Sequence, residues 1–237
     1  MSGHSKWNNI KRKKEKTDAQ RAKIFTKVGR ELAVAVKEGG PDPTTNFKLR
    51  DCISKAKASN VPNDNIERII KKAAGGDANN YEEITYEGYG PSGVAIIVKT
   101  LADNRNRTAG NLRHYFSKYG GNLGSTGCVS FMFTQKGVVV IDLEETDFSK
   151  LEEEAIESGA VDFIKDDDCF IIYTEKEDYE NIYNYFKNNN YKIISSEIGM
   201  VPETYVNLSD EESEKVNILL DVLDEDEDIT NVWHNLK

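Results

Sequence analysis

Apolar positions along the chain change their period twice. Phe25, Val28, Leu32 and Val36 recur at helical spacing and form one stripe, which Gly39-Gly40-Pro41 ends. Thr17 and Gln20 stand at capping-box spacing at the start of that segment. A second helix is expected over Thr45–Ser59, with Leu49, Ile53 and Ala56 turned inward. A third begins near Asn63, just past Pro62, carries Ile66, Ile69, Ile70 and Ala73 on one side, and stops at Gly75-Gly76. Three short amphipathic helices predict a small bundle.

The pattern turns strand-like after Tyr81. "YEEITYEGYGPSG" reads as a turn-rich lead into a strand over Val94–Leu101, and "DNRNRT" (103–108) turns the chain into a helix bearing Ala109, Leu112, Phe116 and Tyr119. Gly120-Gly121 stops that helix, "GGNLGS" reads as a turn, and "CVSFMF" (128–133) as the next strand. "FTQKG" (133–137) is expected as a turn, with a hairpin inside one sheet as the alternative. Then come a strand at "GVVVID" (137–142), a helix near Phe148–Glu157, strands over Val161–Lys165 and Cys169–Thr174, a helix with Tyr179, Ile182 and Phe186, and a strand in "YKIISSEIG". This β-α-β-β-α-β order is that of a ferredoxin-like sandwich. "ETYVNLS" predicts one more strand, Ser209 and Glu212 cap a helix with Val216, Leu219, Leu220 and Leu223, and "DITNVWHN" predicts the last strand. The "DEDED" run (224–228) reads as a solvated turn, because it lacks the spaced oxygen ligands and glycine of a calcium loop. The expected fold class is α+β: an N-terminal three-helix domain (1–78), then two ferredoxin-like α+β domains, one (135–202) inserted into the other (79–134 with 203–237).

Charge changes the picture more than composition does. The net charge is -10, yet residues 1–72 carry 18 Lys+Arg against 8 Asp+Glu, and residues 119–237 carry 8 against 28. Such asymmetry predicts a basic end that meets a polyanion and an acidic end that phosphates repel. With 38% hydrophobic and 30% charged residues the chain is polar but not of disordered composition. No apolar run is long enough to span a membrane, and no apolar core follows the N-terminal charges, so neither membrane insertion nor secretion is expected. Cys52, Cys128 and Cys169, odd in number and far apart, read as reduced structural thiols of a cytoplasmic protein, with no metal-ligand spacing.

The residues that carry enzymatic chemistry are sparse. His4, His114 and His234 form no paired motif, and no nucleophile elbow, Walker loop or Rossmann fingerprint appears. "GYGPSG" precedes a strand instead of opening a helix, so it does not cradle a phosphate. A Cys128–His114 pair lacks an orienting third group. No catalytic residue, metal or cofactor is expected.

Nucleic-acid binding has more support. Lys6, Lys11, Arg12, Lys13, Lys14 and Lys16 form a basic arm able to neutralise phosphates. Trp7 lies within it, placed either to stack on a base or to pin the arm to the bundle. The charge continues onto the first helix, where Lys23, Lys27, Arg30 and Lys37 fall opposite the apolar stripe. Arg105 and Arg107 flank Asn106 at a helix start, as an anion site or as a turn with solvated arginines.

The segments "GHSKWNNIKRKK", "AKIFTKVGREL", "NVPNDNIERIIKKAAGG", "YEGYGPSGVA", "DNRNRT" and "LRHYFSKYGGNLG", in this order, closely resemble the YebC/PmpR family. The resemblance implies a three-domain cytoplasmic protein with a helical N-terminal domain and two α+β domains. Bacterial members are labelled probable DNA-binding transcriptional regulators. Others are linked to the ribosome as translation factors, and mitochondrial relatives activate translation of cytochrome c oxidase subunit I. Lys6, Lys11, Arg12, Lys23, Lys27, Arg105 and Arg107 match the family pattern, whereas Tyr119 stands where the family often has His. The expected partner is thus DNA, or ribosomal or transfer RNA on the ribosome, with a metabolite-sensing module as a third reading and the oligomeric state open, a monomer included. No helix-turn-helix with a recognition helix is evident, which is compatible with shape-directed RNA binding.

Overall fold

The computed structural model describes residues 18–76, 80–144, 147–166 and 168–237. It groups them into two units, one formed by residues up to 130 together with 208–235, the other by 131–207 with 236–237.

The first unit opens with helices α1 (Asp18–Gly39), α2 (Phe47–Ala58) and α3 (Asn63–Ala74). They close on one core, in which Leu32, Ala35, Leu49 and Ala56 are fully buried beside Val28, Val36 and Ile66. Asn46 ties the corner between α1 and α2. Its side-chain oxygen accepts the Leu49 N–H (3.0 Å), and its amide donates to the carbonyls of Ala35 and Gly40 (2.7 Å each).

Strands β1 (Glu82–Tyr89), β2 (Ala95–Ala102), β3 (Asn122–Leu123) and β8 (Ile229–His234) form an antiparallel sheet in the order β3-β1-β2-β8. Helices α4 (Arg105–Lys118) and α7 (Asp210–Glu225) pack on it and on each other, burying Leu112, Phe116, Val216, Leu219 and Leu223. Ser209 closes a capping box with Glu212 at the start of α7. Three expectations are corrected here. "YEEITYEGY" is not a turn-rich lead but strand β1, paired along its whole length with β2 from Glu82↔Ala102 to Tyr89↔Ala95. "GGNLGS" contains the short strand β3, which approaches Gly88 so closely that a Cβ there would lie 2.6 Å from the Asn122 carbonyl. "CVSFMF" is not a strand; it holds a 3-10 turn over Ser130–Met132.

The second unit has strands β4 (Phe133–Asp142), β5 (Asp162–Lys165), β6 (Cys169–Thr174) and β7 (Ile193–Pro202), with helices α5 (Phe148–Glu157) and α6 (Tyr179–Asn188) between them. The antiparallel order β5-β6-β4-β7 is the ferredoxin-like arrangement expected for β-α-β-β-α-β. Val138, Val140, Cys169, Ile171 and Tyr173 bury one face of the sheet. "FTQKG" is neither a turn nor a hairpin: it is the first half of β4, held extended by β7 from Phe133↔Pro202 onward. "ETYVNLS" contributes only a single bridge, Val206 with Leu236. The α+β class with a helical N-terminal domain and two such sheets is what the structure has. No helix among the described residues is long and apolar enough to cross a membrane.

Candidate nucleic-acid interface

Of the basic stripe of α1, Lys37 is exposed and donates to the Asn80 side chain (2.6 Å). The other three cations meet the acidic run 224–228, which begins in the last turn of α7. Lys23 Nζ stands 3.6 Å from Glu225, Lys27 Nζ donates to the Asp224 carbonyl, and Arg30 reaches the Glu227 carbonyl (3.0 Å) and the Asp228 carboxylate (2.6 Å). The Arg30 guanidinium also lies over the Tyr81 ring, 5.4 Å from its centre.

Asp228 is the hub of this arrangement. Its side chain is 5% exposed and accepts from Arg30, from Arg107 Nη2 (2.9 Å) and from the Thr108 hydroxyl (2.7 Å). Burial pushes its carboxyl pKa up, but the bonds from Arg107, Thr108 and Arg30 outweigh burial and hold it below its ordinary value. Two positions earlier, Asp226 accepts from the Tyr115 hydroxyl (2.9 Å), whose pKa burial and this bond push up to about 12. The reading of 224–228 as a solvated turn is therefore corrected. The run gathers guanidiniums and hydroxyls from helices far away in sequence, and a buried carboxylate is tolerated because its charge is paired and hydrogen-bonded.

Arg105 and Arg107 part company. Asn104 caps α4 by accepting the Arg107 N–H (3.1 Å), and the Arg107 side chain turns to Asp103 (2.6 Å) and Asp228. Arg105 is exposed and comes no nearer than 3.9 Å to the Glu82 carboxylate. Four of the expected site residues (Lys23, Lys27, Arg30 and Arg107) are thus brought together around the acidic run, while Arg105 points away. The arm residues Lys6, Trp7, Lys11, Arg12, Lys13, Lys14 and Lys16 lie outside the described residues.

Other cations are exposed, Arg113 and Lys118 on the helix that follows "DNRNRT", as the anion-site reading of that turn expects, and three on α3 that the sequence reading does not weigh. Arg68, Lys71 and Lys72 share the outer side of α3, and Arg113 and Lys118 lie on α4. The clustering "ERIIKK" is visible in the sequence as a signal. Nor does the sequence pattern single out Glu87. It is a buried carboxylate that accepts the N–H groups of Gly127 (2.8 Å), Val129 (2.9 Å) and Ser130 (2.8 Å), and so folds residues 124–130 around itself. Burial would raise its pKa, but the three N–H bonds prevail and lower it. Cys52 and Cys128 are not poised as nucleophiles: burial pushes Cys52 up to about 12, and burial with the nearby Glu87 charge raises Cys128.

Two family models match the chain, the "TACO1/YebC protein N-terminal domain" over residues 5–76 and the "TACO1/YebC second and third domain" over residues 81–236. A protein of Hathewaya histolytica named a probable transcriptional regulatory protein is 54% identical over 99% of this chain and 96% of its own length. One of the same name from Lachnoclostridium phytofermentans is 55% identical over 99% of each. The crystal structure of a conserved hypothetical protein from Aquifex aeolicus matches with a TM-score of 0.86 at 42% identity, over 94% of this chain and 92% of that one.

Proposed function

The chain belongs to the TACO1/YebC family, and from that premise we propose that it is a cytoplasmic regulator of gene expression that acts by binding nucleic acid, with duplex DNA as its partner, and not an enzyme. Its relatives are named probable transcriptional regulatory proteins, which supports the regulatory role. The observation that carries the nucleic-acid reading is charge segregation. Even with Lys23, Lys27, Arg30 and Arg107 engaged by the acidic run, Arg68, Lys71, Lys72, Arg105, Arg113 and Lys118 remain at exposed positions, and six more cations precede Thr17. A surface of this kind gains affinity by releasing counterions from phosphates and needs no base-reading helix.

The test is a salt titration of the full chain and of a variant lacking residues 1–16 on duplex DNA. If the arm neutralises about 4–6 phosphates, the slope of log affinity against log salt becomes shallower by about 0.9 for each phosphate that the shortened chain leaves unneutralised. An unchanged slope sinks the arm's role.

A second reading, a translation factor on ribosomal or transfer RNA, is favoured by one feature: the helices α4 and α7 are backed by a sheet, and their order is not that of a helix-turn-helix. Shape-directed RNA binding needs no recognition helix. Co-sedimentation with ribosomes, abolished by removal of the arm, supports this reading over the promoter.

A further inference from the structure

We propose that the outer face of α4 seats the phosphate backbone of duplex DNA. The inference rests on the nucleic-acid reading above and names the face that carries it.

Helix α4 contains Arg105, Arg107, Arg113 and Lys118 and no acidic residue. Thr108, Leu112 and Phe116 are buried. At about 100° per residue, Asn106, Gly110, Arg113 and Ser117 then line the outer face, with Lys118 on one flank, while Arg105, the first residue of the helix, stands at its N-terminal end on the side of the buried Leu112 and Phe116. All six are exposed. Arg113 and Lys118 make no ion pair with a described residue, and the Arg105–Glu82 approach of 3.9 Å joins two groups that are each more than half exposed. An exposed guanidinium, amide and hydroxyl on one face are the donors that phosphate oxygens take.

Gly110 is the second, independent sign. A glycine inside a helix is less favourable than alanine, so it needs a reason. Gly39 in α1 has one, because a Cβ there would stand 2.7 Å from the Asn46 side chain that ties the corner. At Gly110 a Cβ would meet nothing within 4 Å. No packing among the described residues demands this glycine. What it provides is bare backbone in the middle of a cationic face, where another molecule's backbone can come close. The charge of the face selects an anionic partner, and the spread of donors along the helix suits a repeating anion better than a single one.

The experiment measures affinity for a short random-sequence DNA duplex, and for a structured RNA, with the full chain and two variants. The first is Arg105→Gln/Arg113→Gln/Lys118→Gln, which keeps length and polarity. The second is Gly110→Gln, which adds a good helix former. The triple variant is expected to weaken duplex binding, to make the salt slope shallower by about 2–3, and to melt at the wild-type temperature. Gly110→Gln is expected to melt about 2–4 °C higher while binding duplex more weakly, a divergence that a purely structural glycine would not produce. If wild-type protein binds duplex and both variants bind it equally with the same slope, this face is overturned and the parent reading stands. If only RNA binding falls, DNA as the occupant is overturned. Wild-type protein that retains neither nucleic acid overturns the parent reading itself.

Discussion

The sequence offers an anion the basic face of α1 and the arginines at the start of α4, and the structure treats the two helices oppositely. On α1, Lys23, Lys27 and Arg30 are committed to residues 224–228 of the same chain. On α4, only Arg107 is, while Arg105, Arg113 and Lys118 stay exposed. Lys and Arg content on a helix face therefore does not measure the charge available to a partner. What decides it is where the rest of the chain places its carboxylates, and here one short run of acids separates a clasped helix from an open one.

The sharpest way to break this comparison is to remove the hub. Asp228→Ala takes from Arg30, itself largely buried, its 2.6 Å carboxylate and leaves it Glu227, and it takes one acceptor each from Arg107, which keeps Asp103, and from Thr108, which keeps the Asn104 carbonyl. The expected loss is about 2–4 kcal/mol of stability, read as a lower urea midpoint at unchanged slope. Neutralising Arg105 and Arg113 on α4 should change stability in the same assay by less than about 0.5 kcal/mol. Equal effects would mean that the clasp is ordinary surface charge.

Acid should dissect the same contrast. The Asp228 pKa is lower folded than its usual value, as is that of Glu87. A depressed carboxyl contributes stability that is fully present above its unfolded pKa, about 4, and is lost as pH falls through the folded value. The urea midpoint should therefore fall steeply below about pH 4. Asp228→Asn should flatten that fall, and Glu87→Gln should flatten it separately. Arginine changes on α4 should leave the pH profile as it is. A midpoint that does not change between neutral and strongly acid pH would remove the clasp from the account.

Much of this fold is legible in the sequence because it rests on local pattern. Helix α5 and strand β6 fall where periodicity predicts them, since Leu151 and Ala155 share one helix face and "CFIIYT" is buried throughout. The departures depend on distant groups. Strand β1 carries four charged or polar side chains toward solvent and ends in the turn-like "EGYG", and only its full pairing with β2 makes it a strand. "CVSFMF" has strand composition, yet its N–H groups at Val129 and Ser130 go to Glu87, more than 40 residues earlier, and a carboxylate collecting successive N–H groups bends the chain. The site divides in the same way. That Arg105 and Arg107 stand at a helix start is local and can be read; that Arg107 and Arg30 converge on Asp228 spans 121 and 198 residues and cannot.

A smaller effect is expected from Glu87→Gln at neutral pH. The amide keeps one acceptor oxygen where the carboxylate offered two, so at least one of the N–H groups of Gly127, Val129 and Ser130 loses its partner. About 1–2 kcal/mol is the expected cost, concentrated in faster amide exchange at those three residues and not spread over the sheet. Uniform exchange across both would show that this loop is held by something other than Glu87.

The smallest effect belongs to the outer edge of the clasp. Lys23 and Glu225 are 3.6 Å apart, and each is about half exposed, so water and salt screen them. Lys23→Gln should cost under about 0.5 kcal/mol of stability, within reach only of careful paired denaturation curves. Glu225→Gln makes the more informative variant, because it frees the same lysine without removing its charge. If Lys23 can exchange its carboxylate for a phosphate, duplex affinity at low salt should rise by about twofold, the scale of one exposed ion pair, and the gain should vanish as salt is added. If affinity does not move while the Arg113 variants lower it, then the α1 cations belong to the clasp alone and α4 is the face that meets the partner. Should Glu225→Gln instead raise affinity severalfold, the two helices are not opposites after all, and the acidic run is a competitor that nucleic acid displaces.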